Sequence, residues 1–109
     1  MSFLYLASPY SHNDPEVRQI RFHAACRKAA QLMRDGHCVF SPIAHSHPID
    51  LHFGAPESGD FWKRQDIPVL RHAAKLVVLT LEGWQQSKGV AWEIALANEL
   101  QIPVEFVAP

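Results

Sequence analysis

The chain has 109 residues, of which 48% are apolar, and a formal net charge of -1 at pH 7. That length suits one domain with a single core, and the near-neutral charge gives no electrostatic reason to bind nucleic acid or a membrane surface. No apolar run approaches the ~18 residues that span a bilayer, and no signal peptide, repeat or low-complexity segment is evident. Cys26 falls in a predicted helix and Cys38 in a predicted strand, so both read as reduced core residues and not as a disulfide framework. These features predict a cytoplasmic enzyme or binding domain over residues 1–109.

Phe3-Leu4-Tyr5-Leu6-Ala7 is apolar without polar alternation, which predicts a central parallel strand. A loop dense in turn formers and hydroxyls follows, and Asp14 before Pro15 predicts a capped helix start. The helix is expected over Glu16–Asp35, with Phe22, Cys26, Ala29 and Met33 as its apolar stripe, Ala25 and Leu32 beside it, and Gly36 as the stop. Arg18 and Arg21 on this helix are either anion ligands or part of a solvated face. His37–Ser41 predicts a second strand. The segment from Pro42 to Asp66 has no simple period, and connections that long inside a compact domain are functional or partly helical. A further helix is expected to end near His72-Ala73-Ala74, with Pro68 either delaying its start to near Asp66 or kinking it.

Leu76-Val77-Val78-Leu79 predicts a strand covered on both faces. Val90, Ile94 and Ala97 then recur at helical spacing behind a cap at Ser87. Ile102–Val107 predicts an edge strand. Strands and helices alternating in this way imply a small parallel sheet with right-handed crossovers, a three-layer α/β/α sandwich of flavodoxin-like or Rossmann-like type. The loops after Ala7, Ser41 and Leu81 should converge on one crevice at the carboxyl ends of the strands. Gly89 opens the tip of the last helix to an anion, and Glu93, four residues on, shares its face.

Three places carry a family resemblance. Tyr5-Leu6-Ala7-Ser8-Pro9, Asp66 ahead of the strand at Leu76, and Ser87-Lys88-Gly89-Val90-Ala91-Trp92-Glu93 occur in the order seen in nucleoside 2-deoxyribosyltransferases. The chain resembles that superfamily, which includes nucleoside 5'-monophosphate N-glycosidases; the segments SPIAHSHPI and LEGWQQSKGV are most similar to a bacterial and phage branch. The resemblance implies Glu93 as nucleophile, Asp66 as proton donor or base-binding group, and Tyr5 as the residue that orients Glu93. It also implies a small-molecule nucleoside or nucleotide substrate, with no cofactor and no metal. A homo-oligomer is implied too, because small members share active sites between subunits. Each residue has a plainer reading: Glu93 on a solvated helix face, Asp66 as a helix cap, Tyr5 as core.

Breaking a sugar-base bond develops positive charge at the anomeric carbon while the base leaves with the electron pair. A carboxylate beneath the sugar and an acid near the base answer those two needs. In the sugar-transferring members an aspartate at the Ser87 position binds the free 5'-hydroxyl. A serine there, with the helix-end amides, can instead donate to a 5'-phosphate. Ser8, Pro9, Tyr10 and Ser11 would line the substrate site, with Ser8, Ser11, Asn13 and Gly89 as further donors. The hydrolase branch also places a phosphate-binding residue late in the chain, and no residue up to Pro109 matches it. A nucleotide N-glycosidase is therefore the expected activity, with a deoxyribosyltransferase or a non-catalytic nucleotide-binding module as alternatives.

A rival signal lies in the unassigned segment. His45, His47 and His52, with Asp50 between them, form H-x-H-x-x-D-x-H, a donor set that zinc would accept in a metal-dependent hydrolase. The other expectation is that His45 or His47 contacts the base or sugar. Trp62 and Trp84 offer faces on which a base could stack, or serve core and subunit packing.

Overall fold

Two apolar strands, β1 (Leu4–Ala7) and β3 (Lys75–Leu79), form the centre of the computed structural model, which describes residues 2–55 and 57–109. Met1 and Pro56 lie outside the described residues. Among the described residues four strands make one parallel sheet in the order β2–β1–β3–β4, with β2 at Val39–Phe40 and β4 at Val104–Val107. Leu4 pairs with Val39 on one side and Lys75 on the other, while Leu76 pairs with Val104. As expected, β4 is an edge strand.

Side chains alternate across the strands, and the central strands β1 and β3 are buried on both faces. Tyr5, Ala7, Leu76 and Val78 pack with Leu70, Val90 and Ala97, which come from α3 (Gly59–Leu70) and α4 (Lys88–Glu99). Leu6, Val77 and Leu79 pack on the opposite face with Ala29 of α1 (Pro15–Arg34). This is the expected α/β/α sandwich. Helix α1 starts where Asp14 accepts from the Glu16 amide with Pro15 at the first position. It ends before Gly36, whose φ of +101° suits a residue with no Cβ.

Several sequence expectations need correction. On α1 the buried residues are Ala24, Ala25 and Ala29, whereas Met33 is 53% exposed. Alanines let a helix lie close to a sheet, so the buried stripe is narrower than, and rotated from, the one marked by the bulkier groups. Cys26 is only half-buried, at the margin of that stripe, and Cys38 is exposed ahead of β2, so neither is a fully buried core residue.

The unassigned segment holds a helix, α2 (Pro42–Asp50), capped by Ser41 Oγ, which accepts from the Ala44 amide. Ser41-Pro42 repeats the start signal of Asp14-Pro15, but Pro48 inside the helix obscured its period. Helix α3 begins at Gly59 behind a Ser58 cap, not near Asp66, and ends at Leu70, short of His72–Ala74. Pro68 sits in its last turn, where it forgoes the bond to the Arg64 carbonyl but is followed by only two helical residues, Val69 and Leu70. The Ala74 amide then donates to the Phe3 carbonyl at 2.9 Å, so these residues lead into the sheet and not along a helix.

Candidate active site

A cavity of about 530 Å³ opens where β1, β2 and β3 end. The loop after β1 contributes Ser8, Tyr10 and Ser11, helix α2 contributes one stripe that includes Ser46, His47 and Asp50, and α3 presents Trp62, Lys63 and Asp66. The segment after β3 completes the wall with Ser87, Gly89, Trp92 and Glu93. The volume lies in the range of small-molecule sites, and strand ends of a parallel sheet are where such sites form.

Glu93 is at the floor. Its side chain is held on the inner face of α4 between Val90 and Ala97, and the residue is 6% exposed. The Tyr5 hydroxyl donates to Glu93 Oε2 at 2.6 Å, a buried bond from the central strand to the helix. Burial pushes the Glu93 carboxyl up to about 8, with the Asp66 charge adding to the rise and the Tyr5 hydrogen bond opposing it. Burial and the two carboxylates likewise push the Tyr5 phenol far above its usual range, so it stays a donor. Asp66 is raised to about 6 by burial alone. Two carboxyl groups with separated affinities therefore share one cavity. Because α3 starts at Gly59, Asp66 lies well inside it and is not a cap.

The tip of α4 faces the same cavity. Gly83 in a left-handed turn (φ +92°) is followed by a single 3-10 turn over Trp84–Gln86, and Ser87 caps α4 by accepting from the Val90 amide at 3.1 Å. Gly89 has no neighbouring atom within 3.8 Å of where a Cβ would be, apart from the cap hydroxyl at that distance. Ser8 Oγ is buried without a hydrogen-bond partner, although the residue lines the cavity. A buried hydroxyl left unmatched by protein marks a place for a ligand's polar atom.

Opposite Glu93, His47 is fixed by two bonds. Its Nε2 donates to Gln19 Oε1 at 2.8 Å, which leaves Nδ1 to accept from the Tyr10 hydroxyl at 2.6 Å. Phe22 stacks on the ring at 4.3 Å, and burial lowers the imidazole's affinity for a proton, keeping it neutral. Gln19 Nε2 in turn lies 3.0 Å from His23 Nε2.

The structure brings Ser8, Tyr10, Ser11, His47, Asp66, Ser87, Gly89 and Glu93 to one cavity, with Tyr5 directly behind Glu93. It does not bring Pro9 or His45 there. Pro9 is fully buried. His45 lies against Phe40 at 5.7 Å and lines a separate aromatic groove with Phe53 and Phe61. His45 and His47 thus leave α2 in different directions, and His52 lies beyond its end. Among the described residues no group of three or more His, Cys, Asp or Glu is placed to hold a metal ion, so the H-x-H-x-x-D-x-H reading fails on geometry.

Trp62 lines the cavity, whereas Trp84 packs on Phe106 at 5.4 Å. Asn13 is exposed in the loop and does not line the cavity. Arg18 and Arg21 do not themselves line the cavity but are not idle: Arg18 donates to the His12 carbonyl and to the oxygen of the cavity-lining Tyr10, and Arg21 donates to the Ser11 carbonyl at 2.9 Å and the Glu82 carbonyl at 3.5 Å. Sequence reasoning missed Asp50 except as a metal ligand, and missed Lys63 and Trp92. The signal was the spacing Pro42, Ser46, Asp50, four apart, legible only to a reader who had placed α2.

Residues 2–108 match the family described as "Domain of unknown function (DUF1937)". The chain belongs to the DUF1937 family. No curated protein matches it. A solved structure of a 2-deoxyribosyltransferase from the psychrotolerant bacterium Bacillus psychrosaccharolyticus superposes on this DUF1937 chain with a TM-score of 0.68 and 28% identity, covering 99% of this chain and 73% of the other. Together these matches place the DUF1937 chain in the nucleoside 2-deoxyribosyltransferase-like superfamily, and the structural neighbour is an enzyme.

Proposed function

We propose that the chain is a nucleotide N-glycosidase acting on (deoxy)nucleoside 5'-monophosphates, with Glu93 as nucleophile. The observation that carries this reading is the buried Tyr5–Glu93 hydrogen bond at the floor of a nucleotide-sized cavity. The Tyr5 hydroxyl occupies Oε2 and leaves Oε1 to meet the anomeric carbon. A bond forms from Oε1 to that carbon as its bond to the base nitrogen breaks, and the electron pair leaves on the base, which takes the Asp66 proton. Water then attacks the same carbon, Asp66 accepts its proton, and the Glu93 carboxylate is released with the sugar phosphate.

Proton placement supports the division of labour. With affinities near 8 for Glu93 and 6 for Asp66, the pair holds one proton between those values. In the empty cavity the two carboxyls share that proton. Positive charge growing on the sugar favours the Glu93 carboxylate, and a base packed over Asp66 favours its acid form, so substrate moves the proton to the residue that must give it up.

The phosphate would take Ser8, Ser87 and the open amides at Gly89, supported by the unpartnered Ser8 Oγ and the free tip of α4. Similarity to a 2-deoxyribosyltransferase favours a second reading, transfer of the sugar to another base. We take the working unit to be the single domain spanning the chain, assembled as a homo-oligomer. The deciding experiment incubates the protein with nucleosides and 5'-monophosphates, with and without a second free base. Sugar phosphate plus free base is the expected product; a new nucleoside would favour transfer, and no product from any substrate would remove the enzyme reading.

A further inference from the structure

The part of the cavity lined by the loop after β1 and by α2 presents hydrogen-bond acceptors. His47 Nε2 donates to Gln19, so Nδ1 must accept, and the proton it accepts is that of Tyr10. The Tyr10 oxygen, its own hydrogen spent on His47, accepts from the Arg18 guanidinium with one lone pair and keeps the other for a ligand. Three residues after His47, and so on the same side of α2, Asp50 also lines the cavity, and its Oδ1 is buried with no hydrogen-bond partner. A buried carboxylate oxygen left unmatched costs on the order of 1–3 kcal/mol, and a ligand N–H is what offsets it. Asp50 lies close enough to Tyr10 that its charge, after burial, raises the phenol. It is ill-suited to a phosphate, which it would repel.

We infer that Tyr10 and Asp50, the former oriented by His47, form a reader for the two hydrogens of an exocyclic amine, so that the preferred substrates carry an amino-bearing base (cytosine- or adenine-like) over its oxo counterpart (uracil- or hypoxanthine-like). The two acceptors match the two hydrogens of the amine. A carbonyl at that edge would set its lone pairs against the free lone pair of Tyr10 and against the Asp50 carboxylate, and would leave Asp50 Oδ1 unmatched. Sites built to hydrogen-bond one partner discriminate against the analogue that cannot by far more than an apolar pocket does. Lys63 and Trp62, from α3, add a cation and a stacking surface to the lining.

This inference deepens the proposed function and rests on it for turnover but not for binding. The test therefore measures both. Cleavage of cytidine against uridine monophosphate, and of adenosine against inosine monophosphate, is compared in the natural chain, in Asp50→Asn and in Tyr10→Phe. Binding of the same pairs is measured calorimetrically in Glu93→Gln, and circular dichroism checks that each variant folds.

The expected result is a preference of at least about tenfold for the amino member in the natural chain, in both cleavage and Glu93→Gln binding. Asp50→Asn, whose amide can turn a donor toward a carbonyl, should bring each pair to within about threefold by raising the oxo member. Tyr10→Phe should lower the amino member while leaving the oxo member near its original value. Equal cleavage of amino and oxo substrates, or an unchanged ratio in folded Asp50→Asn and Tyr10→Phe, overturns the inference and leaves the glycosidase reading intact. Amino-selective binding without cleavage of any substrate overturns the glycosidase reading and leaves the inference standing.

Discussion

The two sides of the cavity are built in opposite ways. On the α4 side a five-residue buried strand leads through a short turn into a capped helix whose inward residues, Val90, Glu93 and Ala97, are all buried. On the other side, α2 and α3 each contain a proline and are joined by an exposed stretch in which Leu51 is 72% accessible. There the contacts are edge-on and tilted meetings of Phe53, Phe61 and Trp62, not an interdigitated core. The nucleophilic carboxylate stands on the stiff side, while Asp66 and the surface that meets the variable part of a ligand stand on the other. Rigid support keeps a reacting carboxylate in register; a looser wall can be reshaped without disturbing it.

The largest effect should come from the stiff side. Glu93→Gln is expected to reduce turnover by at least about a thousandfold while raising stability, because it removes a carboxyl that the fold buries. The sign follows from linkage: a folded-state affinity raised from 4.5 to about 8 binds protons that the unfolded chain has lost, so stability falls as pH rises through that window. Urea midpoints of the natural chain should decline from pH 5 to 8 and those of Glu93→Gln should stay flatter, the gap at pH 8 being on the order of 3 kcal/mol. A variant less stable than the natural chain at pH 8 would mean that Glu93 is not the strained group of this wall.

Asp66→Asn should cost about a hundredfold in kcat/KM, a magnitude expected for loss of a general acid. In the natural chain kcat/KM should be bell-shaped, with limbs near pH 6 and pH 8: below the first there is no carboxylate, above the second no acid. A profile flat across that range would separate Asp66 from the chemistry. Tyr5→Phe should cost about tenfold and move the alkaline limb upward, since the lost hydrogen bond was the influence lowering the Glu93 affinity.

The smallest contrast is structural. Leu76→Ala, in the fully buried strand, should lose about 2–5 kcal/mol, whereas Leu51→Ala on the soft side should stay within about 0.5 kcal/mol, both by denaturant titration.

Legibility followed the same divide. The strands, α1 and α4 could be read because burial on both faces leaves unbroken apolar runs and helices there keep a regular stripe. Glu93, Tyr5 and Ser87 inherited that clarity. Helix α2 was hidden because Pro48 and two histidines blur its period, and α3 was misplaced because Pro68 was read as a start or kink when it lies in the final turn. Asp50 was consequently grouped with His45 and His52 by sequence proximity, though the helix turns His45 to the other side. The acceptor role of Tyr10 depends, through His47, on Gln19, twenty-eight positions away from His47, and no local pattern announces such a bond.

One guanidinium ties these halves at their rim. Arg21 reaches from α1 to the carbonyls of Ser11 and Glu82, and a Cβ on Gly83 would lie 2.5 Å from its Nη2. Any side chain at position 83 would both strain a left-handed turn and push that clasp aside. Such a change would unfasten the lip of the cavity on both shores at once, loosening the tyrosine loop and the serine cap together while the sheet beneath stayed whole.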